Sequence, residues 1–525
     1  MKKYFSGLAA DLSASVVVLL VALPLCLGIA LGSGAPLFSG IIAGIAGGII
    51  VGIASGSSLS VTGPAAGLTV IVAAAILKLQ VFEAFLLAVV IAGVIQVILG
   101  FIRAGVIGDY IPNAVIKGML AAIGLILILK QVPHLVGYDA DFQGDESFDQ
   151  PNTENTFSGV MNAFGFITPS ALLIGTSSLL LLLLWEQPFM RSVKWLKPIP
   201  GPLVVVLFGS MINELLIIYQ HDHALEAKHL VALPVAKSMN EFLGFFSLPR
   251  WGYLKDPDVW ITGLTLAIVA SLETLLGIEA VDKLDPLRRV TPPNRELKAQ
   301  GLGNIVSGLL GGLPLTSVVV RSSANVSAGA RSKWSTILHG VLMLACVMFI
   351  PFLLNRIPLA TLAAILIVTG HKLAKLSLFK EFFRKGWDQF VPFVITIAAI
   401  LMTDLLKGIL IGIAVGLFYL LRSNFRSAVF VVNDNNRYLF RLRKDVSFLN
   451  KPFIKKKLED VPENSFLVVD ATRADFIDKD VIEEINNFML HAHLKNIRVE
   501  IKRTQFKAVQ LLFNEPIKSL NTDQL

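Results

Sequence analysis

The sequence predicts a polytopic all-α membrane protein of fourteen segments, seven and then seven again, followed by a small cytoplasmic α/β domain. Three observations carry this. The 525 residues are 54% hydrophobic and 16% charged, with mean hydropathy +0.68, and the apolar residues gather in runs near the length that crosses a hydrocarbon core of about 30 Å. The basic residues fall in short loops on alternate sides of those runs, as membrane topology demands. After Phe425 the runs shorten to strand length and alternate with charged helical patterns, the mark of an α/β unit.

The first series of segments is expected near residues 12–31, 37–56, 61–77, 82–102, 114–135, 169–186 and 200–219. The second is expected near 260–281, 300–312, 315–330, 334–354, 357–371, 388–403 and 405–422. The opening "MKKYFSGLAADLSASVVVLLVALPLCLG" mimics a secretory leader, but Asp11 and the spans that follow at once read as a retained first span. In the second span Gly40, Gly44, Gly48, Gly52 and Gly56 recur every four residues, which puts a smooth packing seam on one face. Domain boundaries are set at 1–427 for the membrane unit and 428–525 for the soluble one.

The loops fix the orientation. Those expected on the cytoplasmic side hold Arg103 and Lys117, then Arg191, Lys194 and Lys197, then Lys283, Arg288, Arg289, Arg295 and Lys298. Arg331 and Lys333 follow, with Lys372, Lys375, Lys380, Arg384 and Lys385, and finally Arg422 and Arg426. The loop "YDADFQGDESFDQPNTEN" carries six acids and no Lys or Arg, and falls on the other side. Both termini are therefore expected in the cytoplasm. The net charge of +8 is spread over these loops, not gathered in a patch, so nucleic acid is not an expected partner.

Catalysis has little to rest on. The chain holds no glycine-rich phosphate loop, nucleophile elbow or HExxH zinc motif, so it does not read as an enzyme and no cofactor is expected. Cys26 and Cys346 sit inside apolar runs, as packing residues. His134, His221, His223 and His229 fall at span ends or in outside loops, without a metal-ligand pattern of cysteines or acids. His339 reads as a satisfied packing residue.

Two segments are too interrupted to be ordinary spans, "SLSVTGPAAGLTVIVAAAI" at 58–76 and "GGLPLTSVVVRSSANVSAGAR" at 311–331, and they hold the third place in each series. Such matched interruptions point to a transporter binding site. Each is expected to run extended to the midplane and start a helix just after Pro64 or Pro314, proline being well tolerated in a first turn. The loop count sends the two helices in opposite directions with their starts facing each other. Unpaired N–H groups and a partial positive charge at each start make an anion site. The candidate anion-binding residues are Thr62, Gly63, Ala65, Thr69, Thr316, Ser317 and Arg321, the last placed little more than a turn into its helix. Glu273, halfway along its span, is the candidate coupling carboxylate, with a purely structural partnership to Arg321 as the alternative. Glu279 and Asp282 lie nearer the interface.

At these residues the chain resembles the SulP family of anion transporters, whose animal members include prestin and pendrin. The resemblance runs through "VALPLCLGIALGSG", "SVTGPAAGLTVIV", "ASLETLLGIEAVD", "QGLGNIVSGLLGGLPLTSVVVRSSANVSAGAR" and a C-terminal STAS-like domain. It implies an inverted repeat like that of uracil permease, a gate and a mobile core, elevator-type exchange of access, and a homodimer in a bacterial inner membrane. By motif match Glu273 stands where members carry an acidic coupling residue, and Arg321 where many carry an arginine near the anion. A related bicarbonate carrier uses aspartate and a threonine four residues on for sodium; here the residues are Glu273 and Gly277, which favours protons or no coupling. The family's "PxYGLY" reads "PLFSGII", so its tyrosines are absent. Lys479 replaces the phosphorylatable serine of anti-sigma antagonists, leaving dimerisation, stability or a cytoplasmic partner as roles for the STAS-like domain.

The expected function is secondary transport of a small inorganic oxyanion, sulfate or bicarbonate, with a dicarboxylate as the alternative. A nucleobase permease of this fold would want a second carboxylate in span ten, where Arg321 stands instead. A membrane-bound sensor or scaffold acting through the STAS-like domain is the reading from another class.

Overall fold

The computed structural model describes residues 2–142, 148, 150, 154–187, 190, 199–220, 223–236, 238–427, 429–434, 436–504 and 513–514. Arg191, Lys194, Lys197 and His221, with Asp145, Glu146 and Asp149 of the acidic loop, lie outside the described residues. Two compact units emerge, 1–415 and 416–525, with the division inside the last long helix.

Every expected span in the first series corresponds to a helix. These are α1 (Lys2–Gly32), α2 (Leu37–Ala46), α3 (Thr69–Leu79), α4 (Phe82–Phe101), α5 (Asn113–Val136), α6 (Pro169–Trp185) and α7 (Gly201–Tyr219). The second series gives α8 (Pro257–Leu284), α9 (Pro293–Leu310), α10 (Val319–Ser327), α11 (Trp334–Phe349), α12 (Leu359–Leu373), α13 (Trp387–Met402) and α14 (Leu405–Ser427). Prolines at the first turns of α6, α8 and α9 cost no hydrogen bond there. Gly311, at φ 94°, ends α9 in the left-handed conformation that glycine adopts without strain. Among the described residues seven helices are long and apolar enough to cross a membrane, α1, α4, α5, α7 and α8 among them.

The glycine seam is a packing surface. Gly40 lies on the Cys26 carbonyl of α1, Gly48 lies on Gly340 of α11, and Gly52 meets Ile337. Midway along it α2 loosens into a π turn, Gly47–Val51, before a last turn at Gly52–Ala54. One apolar cluster gathers buried residues of α1, α5, α11, α12 and α13, and a second gathers α3, α4 and α8.

Two expectations need correction. Helix α9 starts at Pro293, seven residues before the expected 300, so Arg295 and Lys298 stand on a helix and not in a loop. Its polar residues misled the reading because they face protein. Glu296, Gln300, Asn304 and Ser307 are all fully buried on one stripe and hydrogen bonded. Nor does Pro314 start a helix. A strand, β2 (Leu315–Ser317), comes first, and α10 begins at Val319, which moves Arg321 into its opening turn. The reason is a partner: β2 pairs antiparallel with β1 (Thr62–Pro64) of the first interruption, Gly63 opposite Thr316. That ladder satisfies backbone groups which lipid cannot.

The second unit is a small α/β sandwich. Strands β3 (Val429–Asp434), β4 (Arg437–Leu442), β6 (Phe466–Asp470) and β8 (Arg498–Lys502) form one sheet in that order, antiparallel at first and parallel thereafter. A parallel pair, β5 (Lys444–Val446) and β7 (Ala474–Ile477), stands apart from it. Two helices cover the core, α15 (Lys451–Glu459) and α16 (Lys479–Ala492), the latter burying Val481, Ile482, Ile485 and Met489 on one face. Lys479 heads α16, whose first turn is capped by the Asp478 carboxylate accepting from the Asp480 N–H at 3.0 Å. These strands and helices fit a STAS domain.

Candidate functional site

The site grows out of the two interruptions. Because β1 and β2 are antiparallel, the helices that follow leave opposite ends of the ladder in opposite directions. The first begins as a 3-10 turn, Ala66–Leu68, and continues as α3; the second begins directly as α10. Both starts open on one small cavity of about 40 Å³. Ala65, Ala66 and Gly67 line it from the first, and Thr316, Ser317, Val318, Val319 and Val320 from the second. Glu273 and Gly277 of α8 close one side. The facing wall is apolar, made by Met119 and Ile123 of α5 and Leu405, Leu406 and Ile409 of α14. Room for a compact polar guest, and not for an extended one, follows from that volume.

Not every residue in the expected set reaches the cavity. Ala65, Thr316, Ser317 and Glu273 line it, whereas Thr62, Gly63, Thr69 and Arg321 do not. Thr62 turns toward α9, where its hydroxyl oxygen accepts from Gln300 Nε2 at 2.8 Å. Arg321 is fully buried behind the ladder. Its guanidinium packs on Gly63, where any Cβ would collide with Nη1, and Nη2 donates to the Pro64 carbonyl at 3.4 Å. Glu273 has a matching seat. Its carboxylate lies on Gly67, in the opening turn of the first half-helix, where a Cβ would collide with Oε1. Each charge thus rests on a glycine of the first interruption.

Residues that the sequence did not single out hold this geometry. Asn304 donates from Nδ2 to the Leu315 carbonyl at 3.1 Å and accepts the Leu315 N–H at 2.8 Å. Its Nδ2 also donates to Gln96 Oε1 at 2.6 Å. Gln300 donates to Glu296 at 3.0 Å as well as to Thr62, and Ser55 donates to Glu296 at 2.5 Å. Side chains of α10 tie down the first interruption: Ser322 accepts the Val61 N–H at 2.9 Å, and Asn325 donates to the Leu59 carbonyl at 2.9 Å. The signal was present in the sequence, since Glu296, Gln300 and Asn304 recur every four residues and a polar stripe inside a membrane segment needs partners.

The histidines depart from expectation in two ways. His134 and His229 both bring Nδ1 to 2.5 Å from the Asp139 carboxylate, so two histidines do share an acid. Burial pushes the Asp139 carboxyl up, but the two imidazole contacts outweigh it and hold it below the usual carboxylate range. No cluster among the described residues has the make-up of a metal site. His339 is fully buried, yet neither ring nitrogen has a hydrogen-bond partner, so it is not the satisfied packing residue expected. A second cavity, of about 330 Å³, lies at the far end of α10, with Ser13, Glu186, Thr369 and Lys372 on its walls. Lys372 and Glu186 form an ion pair there at 2.5 Å.

Residues 8–415 match the model of the sulfate permease family. The chain belongs to that family. It is an integral membrane transporter, and anion transport is its class of activity. YvdB of Bacillus subtilis (strain 168) is 25% identical over 439 residues, covering 83% of this chain and 78% of that one. The bicarbonate transporter BicA of Picosynechococcus sp. is 25% identical over 433 residues, covering 79% and 70%. The fold is shared with murine Solute Carrier 26 family member A9, an anion transporter solved in the inward-facing state. That structure gives a TM-score of 0.66 at 14% identity, covering 94% of this chain and 85% of that one.

Proposed function

We propose that the protein is a secondary transporter of a small inorganic oxyanion, sulfate or bicarbonate, bound where the two half-helices begin. The observation that carries this is one small cavity receiving both helix starts, with Arg321 behind β1 on Gly63 and Glu273 on Gly67 of the turn that follows β1. Each start offers free N–H groups and a partial positive charge, and Arg321 adds a full charge at short range. Thr316 and Ser317 supply hydroxyls at the rim. Thr62, Gly63, Ala65 and Thr69 set the shape of the first strand and helix.

Glu273 is the coupling group of this reading. Seated at the opening turn of the first half-helix, its carboxylate holds the position an anion would take, and like charges do not share such a seat. Taking a proton removes the conflict, so anion and proton load together. Gly277 argues against sodium: a side chain there would strike the Ser317 carbonyl, so the hydroxyl ligand of the sodium-dependent pattern has no room. Alternating access follows from the two unlike walls. The wall made by the two interruptions and α8 can slide along the apolar wall on α5 and α14, which offers no side-chain hydrogen bonds to break, an elevator movement. A homodimer in a bacterial inner membrane, termini cytoplasmic, with residues 428–525 as a STAS-like regulatory or partner-binding domain, completes the reading.

Uptake into proteoliposomes tests it, with labelled sulfate and bicarbonate offered separately under imposed proton or sodium gradients. Saturable uptake driven by an inward proton gradient is expected, and Glu273→Gln should abolish pH-driven accumulation of bicarbonate, a monoanion, but spare exchange. Absence of uptake for every oxyanion offered overturns the transport reading, and a sodium requirement overturns the role given to Gly277.

A further inference from the structure

Behind the strand ladder, α11 turns one face toward the site. Thr336 donates to the Ser60 carbonyl at 3.0 Å, Gly340 lies on Gly48, and Met343 meets Gly44 beside the Cys26 thiol. His339 stands between them on the same face, at the helical spacing that makes neighbours of these residues. It is fully buried, as are Arg321 and Cys26. Arg321 is the charged group that acts on it. Cys26 of α1 faces Arg321, and the remaining walls from Leu37–Ala54 and β1 bring no titratable side chain. Both ring nitrogens of His339, and Nε and Nη1 of Arg321, lack hydrogen-bond partners. Buried polar groups are nearly always satisfied, so unpartnered nitrogens on both His339 and Arg321 call for a functional cause.

Charge balance supplies one. Arg321 and Glu273 bring one charge of each sign to this buried region, and His339 brings none while neutral. A net charge is costly so far from water. A monoanion can enter neutrally if Glu273 takes one proton. A dianion such as sulfate leaves one negative charge over, and His339, buried with no hydrogen-bond partner, is placed to take a second proton and cancel it, whereas the buried Glu296 is already held by Ser55 and Gln300. Protonated, it would stand beside Arg321 as a second cation, a state tolerable only with the dianion present. We infer that His339 is a second proton-accepting residue, linked through Arg321 to the site, that loads with dianions and stays neutral with monoanions. This rests on the transport reading and on Glu273 as the first acceptor. No bond other than those to the two protons forms or breaks, and both protons leave with the anion.

The experiment counts protons per sulfate in proteoliposomes of the full-length chain, with the membrane potential clamped at zero. Each proton carried multiplies accumulation about tenfold per pH unit across the membrane. The wild type should accumulate sulfate about a hundredfold for one pH unit; His339→Gln and Glu273→Gln should each give about tenfold. Two protons in His339→Gln overturn the inference. Should that variant fail to fold, Glu273→Gln decides alone: one remaining proton supports His339, and none overturns it. A wild type that takes up bicarbonate but no sulfate also overturns the inference, and one that takes up neither overturns the transport reading as well. Sulfate uptake with an unchanged count removes only the role of His339.

Discussion

The two interrupted spans occupy matching places and pair strand to strand, yet they contribute opposite things. The first, from Leu59 to Leu79, supplies room and acceptors. Gly63 and Gly67 are seats for the Arg321 and Glu273 charges, and the carbonyls of Leu59 and Pro64 receive hydrogen bonds. The second supplies charge and polar side chains, since Arg321, Ser322, Ser323 and Asn325 are all buried on nine-residue α10. The two segments are specialised differently, one hollowed and the other filled. The chemistry of the site therefore cannot be read from either half alone.

The comparison predicts which changes hurt most. Removing the charge from the filled half should be the largest: Arg321→Ala is expected to weaken oxyanion binding about 30-fold or more, near the 2 kcal/mol of a hydrogen bond to a charged group. Equilibrium binding of sulfate to purified protein, with a melting curve as control, would check it; unchanged affinity would mean the charge serves only the fold. Filling the hollow half comes next. In Gly63→Ala and Gly67→Ala the atoms that must yield are the far ends of the Arg321 and Glu273 side chains, so stability should change by less than about 1 kcal/mol. Apparent KM should nevertheless rise about tenfold, equivalent to roughly 1.4 kcal/mol. Gly252→Ala, where nothing lies within 4 Å, is the neutral control. If Gly63→Ala and Gly252→Ala behaved alike, the idea of seats would fail.

The smallest effect on transport lies outside both halves and calibrates them. In the C-terminal unit Asp470 accepts from Arg441 at 2.9 Å and from Thr472 at 2.6 Å. Burial opposes its ionisation, but these partners hold the carboxyl below its ordinary value. A depressed carboxylate stabilises the fold above its unfolded value of about 3.9, and that contribution is lost as pH falls through the folded value. Asp470→Asn should therefore cost about 1–2 kcal/mol at pH 7, with the gap closing below about pH 4. Unfolding of this unit followed against pH would show it, while sulfate affinity should not move.

Much of this architecture was legible because its causes are local. Apolar runs, prolines at first turns and basic loops fix the helices to within a few residues, and glycine with proline announces each interruption. What escaped depends on contacts between distant segments. Nothing near Pro314 says that residues 315–317 will find residues 62–64, and without that pairing a helix start at the proline is the natural reading. The polar opening of α9 looked like loop because its partners, Ser55, Thr62 and Gln96, come from three other segments. His134 and His229 meet at Asp139 across a separation of 90 residues for His229. Arg321 and Glu273 stand out in the sequence by type, but the glycines they rest on do not, because a glycine's value lies in what approaches it.

Asn304 shows how such an interruption survives in lipid. By both giving to and taking from Leu315, its side-chain amide stands in for a peptide group of a third strand. A gap in a membrane helix normally asks for water to meet its open backbone groups; here a neighbouring helix lends the missing amide. If the strand pair moves as proposed above, it carries its solvation in neighbouring side chains, so a return journey without cargo need drag no water and open no leak for protons.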